Sequence, residues 1–333
     1  LRHRWMVIGL MVALLFLANF CFNFIKQDFF PLADRAQFQV NYWNPEGSSV
    51  LKTSEDLKKI EKHVLSMKGV RSVATSVGSG PPRFLLGFTP QQPNPSYGCL
   101  IVNTATPDDV PLLVNKVRKY LRAHFPQANP VVSGFPMGGA PAMKIEARFF
   151  GPDPDVLRDL ADQAREIMRQ KGGVDIRDNW RQKVKVWDPE YIQSRGMMTG
   201  ITREDIGRAL LTFTRGYPIG VYRKANDLLP ILLRLPSEQR KNNDNLDTIP
   251  VWGEGTGQSV PLGTVAENLP PRMENPIIRR LHRMRYISAL CNPPDTETSV
   301  SFRKELIPVF KKKIKMPPGY RLKWGGTYKM MKT

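Results

Sequence analysis

Residues 38–77 read FQVNYWNPEGSSVLKTSEDLKKIEKHVLSMKGVRSVATSV, and the change of apolar period along this stretch decides the fold. Phe38–Trp43 reads as a short strand. From Thr53 to Met67 the apolar positions Leu57, Ile60 and Val64 recur at three- and four-residue spacing, which lays one face of a helix on a core. Gly69 stops that helix, and Val70–Val77 returns to strand composition. Strand, amphipathic helix and strand make one βαβ unit.

The pattern recurs three times. Gly98–Thr104, a helix over Pro107–His124 and Asn129–Ser133 form the second unit, with Pro107 near the helix start and Pro126 past its end. The third has a strand over Met143–Phe150 and a helix over Pro154–Gln170, N-capped by Asp153 and stopped by Gly172 and Gly173. Its return strand is Val174–Asn179. The fourth comes much later, as a strand over Ile278–Leu290, a helix over Thr298–Lys313 and a strand over Tyr320–Trp324.

Consecutive βαβ units pair into split-βαβ (ferredoxin-like) sandwiches, one sheet with two helices on one face. The expected class is therefore α+β, with units one and two in one subdomain and units three and four in another. Between the third and fourth lies Gln182–Pro276, too long for a plain loop and read as an inserted subdomain. Inside it the sequence suggests a strand Lys183–Trp187, a short helix Pro189–Arg195, a helix Arg203–Phe213 capped by Thr202, and a hairpin around Tyr217–Leu235.

Ahead of all this, Trp5–Ile25 reads WMVIGLMVALLFLANFCFNFI without an Asp, Glu, Lys or Arg. At about 1.5 Å per residue it reaches ~30 Å, one bilayer core, so it is expected to be a transmembrane helix. A signal peptide has a shorter apolar region and a small-residue cleavage site, which Asn23, Phe24, Ile25, Lys26 and Gln27 do not offer. Arg2, His3 and Arg4 precede the helix, and short basic flanks stay cytoplasmic. The region after residue 26 is then outside the cytoplasm.

A formal net charge of +19 invites a nucleic-acid reading. Its densest cluster, Lys311, Lys312, Lys313 and Lys315, falls at the end of an expected helix, where cations suit the macrodipole and face solvent. No nucleic-acid partner is expected. Cys21, Cys99 and Cys291 lack CxxC spacing, and His3, His63, His124 and His282 have no i,i+4 partner, so neither disulfide framework, zinc site nor other metal ligation is implied. No GxSxG, GxxxxGK[ST] or HExxH motif occurs, and Pro81 and Pro82 spoil Gly78-Ser79-Gly80 as a phosphate loop. The sequence offers no nucleophile, metal or cofactor site, and no enzyme is expected.

Several stretches carry a family resemblance. They are Phe29-Phe30-Pro31 with Asp34-Arg35 and Pro45-Glu46-Gly47, then Gly69-Val70, Val174-Asp175-Ile176-Arg177-Asp178-Asn179, and Gly196 to Glu204. In this order they resemble the resistance-nodulation-division (RND) efflux transporters, in particular the hydrophobe/amphiphile multidrug branch of acriflavine-resistance type. The resemblance implies a part of the C-terminal half: a seventh transmembrane helix (5–25), one porter subdomain (34–134), a second (140–181 and 274–327), and a docking subdomain (182–273). It implies a proton-driven pump in the bacterial inner membrane, with its porter region in the periplasm. Expected partners are the lipid bilayer, the rest of the transporter in a trimer, a periplasmic adaptor (membrane fusion) protein, an outer-membrane channel and amphiphilic small molecules. No cofactor is implied.

By the same resemblance, Gly78–Tyr97 is similar to a switch loop between two drug pockets. Gly78, Gly80 and Gly87 would give it backbone freedom beside Pro81, Pro82 and Arg83. Phe84 and Phe88 either offer flat faces to amphiphiles or plug the loop into its own core. Asn41, Trp43, Ile101, Phe135 and Arg177 are the other implied substrate contacts; Arg177 either steers anionic or zwitterionic drugs or is a solvated strand residue. In the family resembled, the heavy-metal branch uses methionine ligands in this cleft, at places that Met67, Met137 and Met143 do not match; this disfavours metal export, which stands as the alternative within the family. A single-pass, membrane-anchored periplasmic binding or scaffold protein is the alternative outside it. A first residue other than Met, and a last one where another membrane helix would begin, favour a piece of a transporter.

Overall fold

The computed structural model describes residues 4–22, 33–85, 88–136, 143–236, 238, 246–267, 271–294 and 296–332. Arg4–Phe22 forms helix α1, on which Trp5, Leu10, Leu14, Leu15 and Phe16 are all exposed. Its 19 residues reach about 28 Å, and it begins on an arginine. Among the described residues no helix is long and apolar enough to cross a membrane. The expected span over Trp5–Ile25 runs past this helix, and residues 23–25 lie outside the described residues.

The first sheet is built from β1 (Gln37–Trp43), β2 (Val70–Val77), β3 (Tyr97–Thr104) and β4 (Val131–Gly134), in the order β2-β3-β1-β4, with every pair antiparallel. Helices α2 (Val50–Leu65) and α3 (Asp109–His124) connect β1 to β2 and β3 to β4. The two-residue strand period sends Phe38, Val40 and Tyr42 to one side, where they meet Leu57, Ile60 and Val64 of α2 and Val117 and Leu121 of α3. Full burial of each such side chain contributes about 1.5–3 kcal/mol. The opposite side carries Gln39, Asn41 and Trp43, each directly across from Ile101, Cys99 and Tyr97.

The second sheet starts with β5 (Ile145–Phe150), α4 (Pro154–Gln170) and β6 (Val174–Asp178). Asp153 caps α4 by accepting from the backbone N–H groups of Asp155 and Val156. The chain then leaves through a separate compact unit, Lys185–Glu274. Its elements are β7 (Val184–Val186), β8 (Glu190–Tyr191), α5 (Gln193–Thr199), α6 (Arg203–Phe213), β9 (Tyr217–Lys224), β10 (Asp227–Leu233), β11 (Pro250–Trp252), β12 (Ser259–Pro261), α7 (Leu262–Val265), β13 (Ala266–Glu267) and β14 (Arg272–Glu274). Ile206, Phe213, Val251, Leu262 and Val265 form its core. The short helix expected at Pro189–Arg195 starts four residues later, because Glu190 and Tyr191 are drawn into pairing with β13.

The chain returns with β15 (Arg279–Leu281), β16 (Met284–Asn292), α8 (Ser299–Lys313), β17 (Arg321–Gly326) and α9 (Thr327–Lys332). The sheet order is β15-β16-β5-β17, with β6 also paired to β16. The single strand expected over Ile278–Leu290 is thus a hairpin, turned by His282 and Arg283, both left-handed at φ 49° and 67°. Trp180, Phe149, Phe302 and Phe310 are the large buried groups of its core.

Candidate functional site

The segment joining β2 to β3 forms no strand between Gly78 and Ser96 among its described residues. Its two arms are nevertheless tied, by Gly78 N–H to the Tyr97 carbonyl at 2.8 Å, Asn94 N–H to the Gly78 carbonyl at 2.8 Å, and Gly80 N–H to the Gln91 carbonyl at 3.1 Å. Two of its glycines are required by geometry. Gly78 is left-handed at φ 78°, and a Cβ on Gly80 would sit 2.6 Å from the Gln91 nitrogen. Gly87 lies outside the described residues; Pro81 is half-buried, while Pro82 and Arg83 are exposed.

Phe84 and Phe88 of this segment form an aromatic cluster with Phe135, which follows β4, with ring centroids 5.0 to 6.3 Å apart. Phe88 and Phe135 are 4% and 2% exposed, whereas Phe84 is 44% exposed. The plug and the open face are therefore divided between the two loop phenylalanines. Phe88 fills, and Phe84 presents a ring.

A second group lies where the two sheets meet. Trp43, Gln91, Arg165, Arg177, Asp178 and Arg181 line a cavity of about 210 Å³, together with Arg279. Arg177 is half-buried rather than a solvated strand residue, because β6 pairs with β16 while its sequel packs Trp180 into the core. Trp180 is held by its indole N–H to the Tyr286 carbonyl at 2.8 Å. Among the described residues four guanidinium groups thus line one small cavity with a single carboxylate, that of Asp178, which lies 3.7 Å from Arg158 and 3.6 Å from Arg165. Arg165 Nε is buried without a hydrogen-bond partner among the described residues.

Burial lowers the Arg177 pKa from its ordinary value, with Asp175 opposing and Arg181 assisting the shift. Burial also raises the Tyr97 phenol, and Arg177 offsets part of that rise. Tyr97 donates its hydroxyl to Asn41 Oδ1 at 2.6 Å, which fixes Asn41 on the sheet face next to Trp43. Ile101 is half-buried on the same face, across from Gln39. Asp175, left-handed at φ 55°, adds a tie between the two sheets: it lies 3.9 Å from both Arg118 and Arg122 of α3 and accepts from Asn292 at 3.1 Å.

Of the sequence-derived residues, Trp43 and Arg177 line the cavity, Phe84, Phe88 and Phe135 form a cluster of their own, and Asn41 and Ile101 lie on the outer face of the first sheet. The phenylalanines are not part of the cavity wall. Gln91, Arg165 and Arg181 were missed by sequence reasoning. Gln91 lay inside the 78–97 stretch that the sequence singled out, whereas nothing local marked Arg165 or Arg181. Of the methionines considered, Met67 packs against the apolar core of the first sheet, Met143 is buried with its sulfur accepting from Asn292 Nδ2 at 3.9 Å, and Met137 lies outside the described residues. Among the described residues no group of three or more His, Cys, Asp or Glu is placed to hold a metal ion.

A family model described as the AcrB/AcrD/AcrF family matches residues 1–333. The chain belongs to the AcrB/AcrD/AcrF family. Curated relatives of this AcrB/AcrD/AcrF-family chain include the nickel and cobalt resistance protein CnrA of Cupriavidus metallidurans, 23% identical over 96% of the chain and 31% of that protein. The nickel-cobalt-cadmium resistance protein NccA of Alcaligenes xylosoxydans xylosoxydans is 22% identical over the same shares. The swarming motility protein SwrC of Bacillus subtilis is 22% identical over 80% of the chain and 25% of its own length. The crystal structure of a heavy metal efflux pump matches with a TM-score of 0.80 at 17% identity, covering 98% of the chain and 34% of the pump.

The resemblance to RND transporters is borne out at the level of the family, and that likeness to the pump establishes the mixed α/β fold. The chain spans about a third of the length of the first relatives named. The AcrB/AcrD/AcrF family is one of efflux transporters.

Proposed function

We propose that this chain is the substrate-handling portion of an RND efflux transporter that moves amphiphilic organic molecules out of a bacterial cell. The observation that carries the reading is the cavity where the two sheets meet, in which an indole face stands beside a cluster of guanidinium groups. A flat apolar surface with a few charged donors suits amphiphiles, and the same cationic wall repels a bare divalent metal ion. In this reading residues 34–134 and residues 140–181 with 274–327 are the porter subdomains, and 78–97 is the loop that separates substrate positions. Asn41, Trp43, Phe84, Phe88, Ile101, Phe135 and Arg177 are its substrate contacts. Residues 5–25 cross the inner membrane and the rest lies in the periplasm.

Residues 182–273 would dock onto other subunits of a trimer, a periplasmic adaptor and an outer-membrane channel. The β9–β10 hairpin supports this, since Val221, Leu228, Leu229, Ile231 and Leu233 are all exposed on it. Apolar side chains gathered on one exposed hairpin favour a protein partner.

Export of heavy-metal ions is the second reading, favoured by the names of CnrA, NccA and the matching pump. One comparison separates the two. Cells carrying the full-length transporter with Trp43→Ala and Arg177→Gln should lose protection against amphiphilic drugs by roughly fourfold or more, about 1 kcal/mol of binding. Their nickel and cobalt tolerance should be unchanged. Loss of metal tolerance with drug protection intact would establish the second reading instead.

A further inference from the structure

We propose that Arg181 and Glu46 form a clasp that an anionic ligand opens, so that the charge of the ligand sets the freedom of the 78–97 segment. The proposal rests on the reading of the cavity as a substrate site and names the ligand class that would act there. Arg181 is held in an unusual position. Its backbone is left-handed at φ 65°, a conformation rare for a residue with a side chain, and its carbonyl accepts from Arg158 Nη1 at 2.9 Å. From there the guanidinium lies 3.7 Å over the Trp43 ring and donates to Glu46 Oε2 at 2.9 Å.

Glu46 is engaged on both oxygens. Its Oε1 accepts from Asn94 Nδ2 at 2.9 Å, and the Asn94 backbone N–H closes on the Gly78 carbonyl at 2.8 Å. One carboxylate therefore joins the second sheet's Arg181 to the returning arm of the 78–97 segment. Both partners stay within reach of a ligand, with side chains 25% and 15% exposed.

A ligand carrying a carboxylate or sulfonate on a flat apolar body matches what the cavity offers. Its ring competes for the Trp43 face, and its anion finds Arg181 and Arg177. In taking Arg181 it replaces Glu46. Once free of Arg181, Glu46 no longer anchors Asn94 to the second sheet, and the segment gains motion. A neutral ligand of the same shape has no means of breaking the ion pair, so it binds beside an intact clasp.

The test uses the 333-residue chain in detergent, with 1-naphthoate as anionic probe, 1-naphthalenemethanol as its neutral counterpart, and hydrogen–deuterium exchange over residues 78–97. Naphthoate should speed exchange in this segment and the alcohol should not. Glu46→Gln should speed it without any probe and bind naphthoate roughly two- to fivefold more tightly, the range for a partly exposed ion pair. Arg181→Ala should weaken naphthoate but not the alcohol. Glu46→Ala serves as a second variant, and circular dichroism checks that each is folded.

Unchanged exchange in both Glu46 variants would overturn the clasp, as would equal naphthoate affinity in all variants. The latter would leave the cavity standing as a ligand site. Failure of either probe to bind would count against the cavity, and exchange in the Glu46 variants would then decide the clasp alone.

Discussion

Cys99 and Cys291 show how a residue's environment sets its chemistry. Both are buried, and burial pushes the Cys99 thiol up to about 11, with the Tyr97 hydrogen bond pulling the other way. Burial first, and the charge of Asp175 second, push Cys291 up to about 12. An ordinary thiol ionises near 9.0, so these two stay neutral and unreactive where a free one begins to titrate. In a Cys21→Ser background, neither should be alkylated by iodoacetamide at pH 8 until the protein unfolds; mass spectrometry of the modified peptides checks this. The sign of the linked stability follows. A pKa raised by folding gives stabilisation that is full below 9 and is lost as pH climbs toward 11 and 12, so the midpoint of urea unfolding should fall over that window. At the same scale, Arg177 was legible because its motif stood in the sequence. Arg181 was not, since its left-handed backbone and its partner Glu46, 135 residues away, leave no local trace.

Among the elements, helices with caps and periodic apolar faces were the easiest to read. Asp153 and Pro154 begin α4, Thr202 begins α6 through a reciprocal capping box with Asp205, and Thr298 begins α8 in the same way. The β15–β16 hairpin was not legible, because a two-residue turn with both φ values positive normally announces itself by Asn-Gly or Asp-Gly. Here His282 and Arg283 occupy it, and their composition is that of a continuing strand. Each pays a left-handed cost that Asn and Gly largely escape. Replacing His282-Arg283 with Asn-Gly should therefore stabilise the fold by about 1–2 kcal/mol, seen as a raised thermal midpoint. No change, or a fall, would mean that side-chain contacts of His282 or Arg283 outweigh the backbone strain.

For the whole molecule, the decisive quantity is how much of a transport cycle one polypeptide can hold. Active export needs a free-energy source, and in a proton-driven pump that source acts through protonatable groups inside the membrane whose charge state biases a conformational equilibrium. Trp5–Ile25 contains no Asp, Glu, Lys, Arg or His. A single helix also cannot enclose a path for ions, because lipid offers no partner for an exposed polar route. The two sheets and the inserted unit 185–274, by contrast, each carry an apolar core and need no membrane to fold. Binding and coupling should thus separate in this chain. Reconstituted alone into liposomes with an imposed proton gradient, it should move no amphiphilic dye, while equilibrium dialysis in detergent should still detect weak binding that Trp43→Ala reduces. Dye movement that follows the gradient and stops with a protonophore would mean that coupling resides in groups outside Trp5–Ile25, and would remove the basis for treating the cavity as one part of a larger cycle.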